Sequence, residues 1–461
     1  NIPGMKLFNT LTRSVDEFAP QDPPRVGIYT CGPTVYNFQH VGNYRTYIFE
    51  DILVRALQTA GFQVKRVMNI TDVGHLTSDS DTGEDKLELG AKREGKTAWD
   101  IAAFYTEAFL KDIASLDILP ADVLCKATDH IPEQIAMVRR LEGKGLTYTV
   151  ADGVYFDTAK YSAYGKLDPA RLKGQKAGAR VDVVEGKKAP EDFALWKLTP
   201  AGQKRHMEWD SPWGKGFPGW HIECSAMAMK YLGETFDIHC GGIDHVPIHH
   251  TNEIAQAEGV TGKPFARFWL HGEFLLMNSA KMAKSAGGFV TLTDLKDKGF
   301  DPLDYRCHCY TAHYRKQLDF TWELLESAKT ARRRLREAAA AVKAEALGPV
   351  PAEHLKAFRC AVEDDLNMPG AMAAVWDCLH SSVPGGSKRA FLEEAEKVLA
   401  LGLLKEEAQA ALPAELQALL DRRAAARAAK DFKLSDELRK ELDSKGVLVE
   451  DSKQGQRWRR K

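Results

Sequence analysis

The sequence predicts an α/β protein: a doubly wound parallel sheet interrupted by an insertion, then a helical bundle and a small C-terminal domain. Three observations carry this. Strand-like and helical patterns alternate over the first 128 residues, as parallel βαβ units require. The alternation stops at the hairpin signal Asp152-Gly153 and a Lys/Gly/Arg-rich stretch from Lys160 to Lys188, and resumes at Trp209. From Thr321 onward the chain reads as helical, with Thr321 to Ala346 Ala/Arg/Glu-rich. A Rossmann-like core with an inserted module follows from the first two, and the bundle from the third. A chain of 461 residues, 44% hydrophobic and 28% charged, has room for several such domains.

In order, Arg25 to Tyr29 is predicted as a buried strand. Tyr47 to Ala60 is predicted as an amphipathic helix with Phe49, Ile52, Leu53, Ala56 and Leu57 on one face. Between them lie Cys31, a Gly32-Pro33 turn and the tetrapeptide His40-Val41-Gly42-Asn43. A strand that breaks into a turn and opens a helix offers unpaired N–H groups and a positive dipole end to a phosphate. There Gly42 permits close backbone approach, and His40 and Asn43 supply donors. Phe62 to Ile70 is a second strand, followed by Thr71-Asp72 and an acidic loop over Asp79 to Gly90. Ala98 to Leu116 is helical, and Ala121 to Thr128 a third strand.

Formal net charge is −1, from 63 Lys+Arg and 64 Asp+Glu, so any nucleic-acid partner must be held by local patches. No apolar run reaches the roughly 20 residues of a membrane span, and no signal-peptide pattern is present, so a cytoplasmic protein without a membrane partner is expected. Eight scattered cysteines without framework spacing fit a reducing compartment, where a special cysteine is a ligand or nucleophile rather than half of a disulfide.

After the insertion, Ile222 to Leu232 is helical and carries Cys224, and Thr235 to His239 is a strand ending in Cys240-Gly241-Gly242-Ile243-Asp244. His249 and Glu253 open the next helix at i and i+4, on one face; joined by cysteines from elsewhere, they suit zinc, although such pairs also serve as caps or surface groups. Residues 265–277 are predicted as a strand with a turn, followed by a cationic loop carrying Lys281 and Lys284 among small residues.

These motifs carry a resemblance. His40-Val41-Gly42-Asn43 resembles the first signature of class I aminoacyl-tRNA synthetases, usually written HIGH, and Lys281-Met282-Ala283-Lys284-Ser285 resembles the second, KMSKS. Cys31, Cys224, His249 and Glu253 resemble the zinc ligands of the cysteinyl-tRNA synthetase family, and Trp220 to Met227 and His239 to Asp244 are similar to further stretches of it. The similarity runs from about Leu7 to Trp458 in the family's order. Asn43 stands for the last His of HIGH, Ala283 for a Ser of KMSKS, and Val73-Gly74-His75-Leu76 for an acidic run.

The resemblance implies activation of L-cysteine with ATP to cysteinyl-adenylate and transfer to the terminal ribose of tRNA(Cys). It assigns His40, Asn43, Lys281 and Lys284 to catalysis, and His40, Gly42, Asn43, Gly241, Gly242, Asp244 and Lys284 to ATP. It further assigns Gly32, Thr34, Thr71, Trp220 and His239 to the substrate, and implies one zinc per chain with Mg²⁺ on the ATP phosphates. Zinc would separate cysteine from serine, because a thiolate binds it far better than a hydroxyl does. Four protein ligands already fill a tetrahedral site, so a substrate sulfur requires five-coordination or a weakly held Glu253.

The implied domains are 1–128 and 209–268 as halves of the catalytic domain, the second with the zinc site, and 129–208 as the connective insertion. Residues 269–320 carry the lysine loop and stem contacts, 321–405 form the bundle, and 406–461 form the anticodon-binding domain of an expected monomer. Helical pairs at Leu416 to Ala429 and Lys433 to Leu442, a strand at Gly446 to Glu450 and a basic tail around Arg457 and Trp458 suit that last role. Two rival readings are an adenylate-forming ligase joining cysteine to an amino-sugar in mycothiol synthesis, and a non-catalytic tRNA-binding paralogue. The stretch from about Leu412 speaks against the first, and the retained lysines and zinc ligands against the second.

Overall fold

The computed structural model describes residues 4–73, 76, 84–170, 186–277, 280–281, 289–405, 412–452 and 455–460. The chain forms two compact units, Asn1–Leu404 and Lys405–Lys461.

The first unit opens with an antiparallel pair, β1 (Lys6–Asn9) and β2 (Ser14–Glu17). The core sheet then begins with β3 (Arg25–Thr30), α1 (Val41–Thr59) and β4 (Gln63–Ile70), followed by α2 (Lys86–Glu94), α3 (Ala98–Ser115) and β5 (Val123–Lys126). After α4 (Ile131–Gly143) come β6 (Thr147–Val150), β7 (Gly153–Phe156), β8 (Phe193–Leu198) and β9 (Gly216–Pro218), a four-stranded antiparallel sheet of its own. The hairpin turns through Ala151-Asp152, one residue ahead of the expected Asp152-Gly153, because Gly153 already pairs with Val150; the inserted sheet continues to Pro218, past the return of sheet-like sequence at Trp209. The core sheet resumes with α5 (Trp220–Leu232), β10 (Phe236–Gly242), a tight helical turn through His250, α6 (Thr251–Thr261) and β11 (Ala266–Gly272).

The five core strands are all parallel, in the order β11-β10-β3-β4-β5. The chain runs outward from β3 through β4 to β5, then returns to build β10 and β11 on the other side of β3. The strand order therefore reverses between β3 and β10, and that is where a doubly wound sheet opens a crevice at its carboxyl ends. Cys31 follows β3 directly, and its N–H donates to the carbonyl of Cys240 at 3.2 Å across this point.

Helix α1 starts at Val41, six residues before the predicted Tyr47. The cap is His40, whose Nδ1 accepts from the Asn43 N–H, while the Asn43 side-chain oxygen accepts from the His40 N–H. Histidine is not a usual N-cap residue, so its capping role has no sequence signal. The helix buries Tyr44, Ile48, Ile52 and Ala56 at i+4 spacing, with Phe49, Leu53 and Leu57 beside them. The predicted acidic loop is cut short by α2, whose N-cap Asp85 accepts from the N–H groups of Leu87 and Glu88.

Beyond β11 the chain forms β12 (Leu275–Met277), β13 (Ala280–Lys281), α7 (Leu292–Asp297), α8 (Pro302–Cys309) and β14 (Leu318–Phe320), with β12 antiparallel to β13 and parallel to β14. The helices α9 (Trp322–Lys343), α10 (Ala352–Glu363), α11 (Met368–His380) and α12 (Gly385–Leu399) follow. Their buried face joins the core of the first unit through Leu325, Leu335, Phe358, Val375 and Phe391.

The second unit contains α13 (Ala414–Ala428), α14 (Phe432–Ser444) and a hairpin of β15 (Val447–Ser452) with β16 (Gly455–Arg460). Its own core is Leu412, Leu419, Leu420, Leu438, Leu442, Val447 and Val449, with Trp458 packed against it. The residues expected as a basic tail therefore include a strand, and Trp458 pairs with Val449. Inside this unit the guanidinium of Arg423 is buried and forks onto both carboxylate oxygens of Asp451, each at 3.0 Å. Among the described residues, no helix is long and apolar enough to cross a membrane.

Candidate active site and metal centre

A cavity of about 590 Å³ opens at the reversal point between β3 and β10. Cys31, Gly32 and Thr34 enter it from the turn after β3, and His40, Gly42 and Asn43 from the start of α1. Thr71 comes from the end of β4, Trp220 and Cys224 from α5, Gly242 and Asp244 from the end of β10, and His249 from the turn before α6. Elements far apart in sequence thus converge on one space, and most of the predicted site residues line it.

Gly241, His239 and Glu253 sit behind the wall. A Cβ on Gly241 would fall 2.7 Å from His250 Cε1 and 2.8 Å from His245 Nδ1, so only glycine fits there. Gly32 is as constrained: a Cβ would lie 1.6 Å from the Asn69 carbonyl oxygen, while the Gly32 N–H donates to Asn69 Oδ1 at 2.8 Å. Lys281 is described through its main chain, where it pairs with Leu276, and Lys284 lies outside the described residues.

Two overlapping quartets of ligand atoms, each within 4.8 Å of one another and all buried, could hold a metal ion: Cys31, Cys224, His249, Glu253, and Cys31, His239, His250, Glu253. Two thiols, an imidazole and a carboxylate are the donor types zinc takes. The Glu253 carboxylate is shared, with Oε1 3.0 Å from His249 Nε2 and Oε2 2.8 Å from His239 Nε2. His249 Nδ1 lies 2.9 Å from His221 Nδ1, and Trp220 lies over the His249 ring at 4.3 Å between centroids.

The electrostatics follow from this packing. Burial pushes the Glu253 carboxyl up, but His239 and His249 outweigh it and hold it down at about 2. Burial likewise opposes charge on His249, yet Glu253 and Cys224 raise it to about 10. For Cys224, burial raises the thiol pKa, and the hydrogen bond with Cys31 together with His249 brings it down to about 6. Burial, and then the hydrogen bond with Cys224, hold Cys31 well above the usual thiol range. Without metal the centre therefore carries one thiolate, one thiol, a carboxylate and an imidazolium. His221, His250 and His271 are kept neutral by burial.

Sequence reasoning missed this histidine shell. His250 Nε2 approaches Cys31 Sγ at 3.3 Å, and its Nδ1 meets His271 Nε2 at 2.7 Å. His250 carried a signal, since it adjoins His249; His221 and His271 carried none, because only the fold brings them in. Lys86 and Tyr36 also line the cavity, with the Lys86 ammonium 5.3 Å from the Tyr36 ring centre.

Residues 17–330 match the family described as the tRNA synthetases class I (C) catalytic domain, and residues 409–459 match the cysteinyl-tRNA ligase anticodon binding domain. The chain is 49% identical to cysteine–tRNA ligase 1 of Burkholderia lata, over 98% of this chain and 96% of that one. It is 42% identical to the cysteine–tRNA ligase of Treponema denticola, over 99% of each. Among solved structures, the LeuRS of Agrobacterium radiobacter K84 in a ternary complex shares the fold with a TM-score of 0.61 at 10% identity, covering 85% of this chain and 86% of that one. Methionyl-tRNA synthetase of Mycobacterium tuberculosis aligns with a TM-score of 0.55 at 14% identity, over 82% and 90%. With family models on both units and full-length relatives at this identity, the chain belongs to the cysteine–tRNA ligases, within the class I tRNA synthetases.

Proposed function

We propose that the cavity activates L-cysteine with Mg²⁺–ATP and transfers it to tRNA(Cys), with a zinc ion on Cys31, Cys224, His249 and Glu253 selecting the thiol. The observation that carries this reading is one cavity lined both by Cys31, Cys224 and His249 and by the His40–Asn43 start of α1. This quartet is favoured over the one with His239 and His250, because three of its members face the cavity and only Cys31 of the other does.

Zinc, when bound, offers a bond that a cysteine thiolate makes and a serine hydroxyl does not. His239 fixes one oxygen of Glu253 and leaves the other toward the ligand cluster. His221, neutral, accepts from His249 Nδ1 and so turns Nε2 toward Glu253.

In the first step the cysteine carboxylate attacks the α-phosphorus of ATP and pyrophosphate leaves. Charge grows on phosphoryl oxygens, so positioning and preorganised donors do the catalysis. His40 uses Nδ1 as cap acceptor, which puts its neutral-state proton on Nε2, the donor this reading assigns to a phosphate oxygen. Asn43 uses its side-chain oxygen in the same cap, leaving its NH₂ as donor. Lys281 and Lys284 supply cations, and Asp244 with Gly242 takes the ribose side. In the second step a hydroxyl of the terminal tRNA ribose attacks the adenylate carbonyl and AMP leaves.

The test is ATP–pyrophosphate exchange with cysteine against serine on zinc-loaded protein, followed by charging of tRNA(Cys). Cysteine-dependent exchange with negligible serine activity is the expected result. Equal exchange with both amino acids would remove thiol selection from the site.

A further inference from the structure

Arg45 stands one turn into α1, two residues after Asn43, and only 4% of its surface is exposed. Its guanidinium reaches four main-chain carbonyls on two separate segments. Nη1 donates to Glu273 at 2.8 Å and Phe274 at 2.6 Å; Nη2 donates to His313 at 3.3 Å and to Lys316.

These segments are where the chain leaves the core sheet for the small sheet of β12, β13 and β14. Glu273 N–H donates to the Tyr314 carbonyl at 2.8 Å, and Leu318 N–H to the Phe274 carbonyl at 3.2 Å. Leu275 then pairs with Leu318, and Leu276 with Lys281. Glu273, Phe274 and Leu275 also line the cavity. On the far side of the lysine loop, the Val41 N–H at the start of α1 donates to the Val290 carbonyl at 2.8 Å.

We propose that Arg45 is a positioning residue for adenylate formation, holding β12 and, through strand pairing, the main chain of Lys281 in place against the helix that presents His40 and Asn43. This rests on the reading of Lys281 and His40 given above. A buried cation is costly unless it is fully hydrogen-bonded, and a packing role would be filled more cheaply by an apolar side chain. Four acceptors from two chain segments need the planar guanidinium fork; a lysine ammonium has three donors at a single point. A misplacement of the order of 1 Å costs about 10²-fold in a reaction governed by positioning.

The experiment uses the full chain carrying Arg45→Met, Arg45→Lys, Lys281→Ala and each Arg45 change combined with Lys281→Ala, all zinc-loaded. Exchange kinetics are measured beside zinc content and the melting shift that cysteine induces. Arg45→Met is expected to lower kcat for exchange about 10²-fold, with Arg45→Lys between it and the parent. Zinc content and the cysteine-induced shift should be unchanged, which a general structural defect would not allow. In the Lys281→Ala background most of the Arg45 effect should vanish, because both changes remove the same contribution. Should Arg45→Met fail to fold, Arg45→Lys carries the same cycle. Additive losses with a slow Lys281→Ala would overturn the positioning role alone. A Lys281→Ala variant as fast as the parent would overturn the reading of Lys281 and the proposal with it.

Discussion

His40 and Asn43 cap each other: His40 Nδ1 accepts the Asn43 N–H at 3.2 Å, and Asn43 Oδ1 accepts the His40 N–H at 3.2 Å. One reciprocal pair therefore starts α1 and sets which side-chain donors remain for the phosphates in the proposed reaction. The two roles can be separated at Asn43. Asn43→Asp keeps an acceptor for the cap but replaces NH₂ by a charged oxygen beside the triphosphate. Its melting temperature should match the parent's, while pyrophosphate exchange falls by at least about 10²-fold, the scale of losing one preorganised donor. Exchange at the parent rate would remove Asn43 from phosphate binding.

That pair also marks where sequence legibility ended. The parallel sheet was legible because strand-like segments at β3, β4 and β5 alternate with helical ones before the insertion, but the reversal between β3 and β10 was not, because no local pattern says on which side of β3 the returning chain will pair. The start of α1 was not, because nothing in His40 advertises a cap. Spacing joined His249 to Glu253, but Cys31 and Cys224 came from the family resemblance: residues 222 and 29 positions from Glu253 leave no periodic trace. His221 and His271 were hidden for the same reason, since one lies on α5 and the other on β11; His239 was expected at the site, but as a substrate contact rather than as the partner of Glu253. Trp458 looked like a tail residue because an antiparallel hairpin of six residues per strand has too little apolar content to stand out beside five basic side chains.

Metal removal supplies the second prediction. Cys224→Ala should lose zinc on purification, and chelation of the parent should abolish cysteine-dependent exchange while leaving ATP binding measurable. Affinity should also depend on pH, with the following sign. Without metal, His249 holds its proton to about 10 and Cys31 stays a thiol well above the usual range, while Cys224 is ionised above about 6. Binding near neutral pH must expel one proton from each of the first two, so acid weakens the site and base strengthens it. With two protons displaced, the dissociation constant changes about 10²-fold per pH unit in the neutral range. Competition against a chromophoric chelator at several pH values, corrected for the chelator's own protonation, measures this. A flat profile would contradict the protonation states assigned to His249 and Cys31.

Lys284 belongs to the second signature by sequence, and its function is open to direct measurement. Lys284→Ala should slow adenylate formation by roughly 10²–10³-fold, with cysteine affinity and zinc content close to the parent's. A lysine with the proposed role of meeting charge that develops on the phosphates should show its loss in kcat more than in the KM for cysteine. An exchange rate near the parent's would leave Lys281 as the sole cation of the motif with a catalytic role.

The last prediction separates the two halves of the reaction, and the two compact units make it a clean experiment. Residues 405–461 form their own unit with their own apolar core, and none of the residues assigned above to cysteine, zinc or ATP lies within it. Deleting them should leave cysteine-dependent pyrophosphate exchange at a similar rate. Charging of tRNA(Cys) should collapse, chiefly through a raised KM, because tRNA contacts on the second unit would contribute binding energy and no residue assigned to the chemistry. The deleted unit carries Arg422, Arg427, Lys430, Lys433 and Arg439 on and between its helices and also the exposed Phe432, a composition suited to phosphates and an unpaired base. The residual tRNA affinity should therefore fall less steeply with salt than the full chain's, by roughly one unit of log–log slope for each phosphate no longer neutralised. Circular dichroism and retained exchange would show that the shortened chain is folded. A shortened chain that charges tRNA(Cys) with the full chain's KM and salt dependence would mean that residues 405–461 do not read the anticodon, and that tRNA selection rests on the first unit alone.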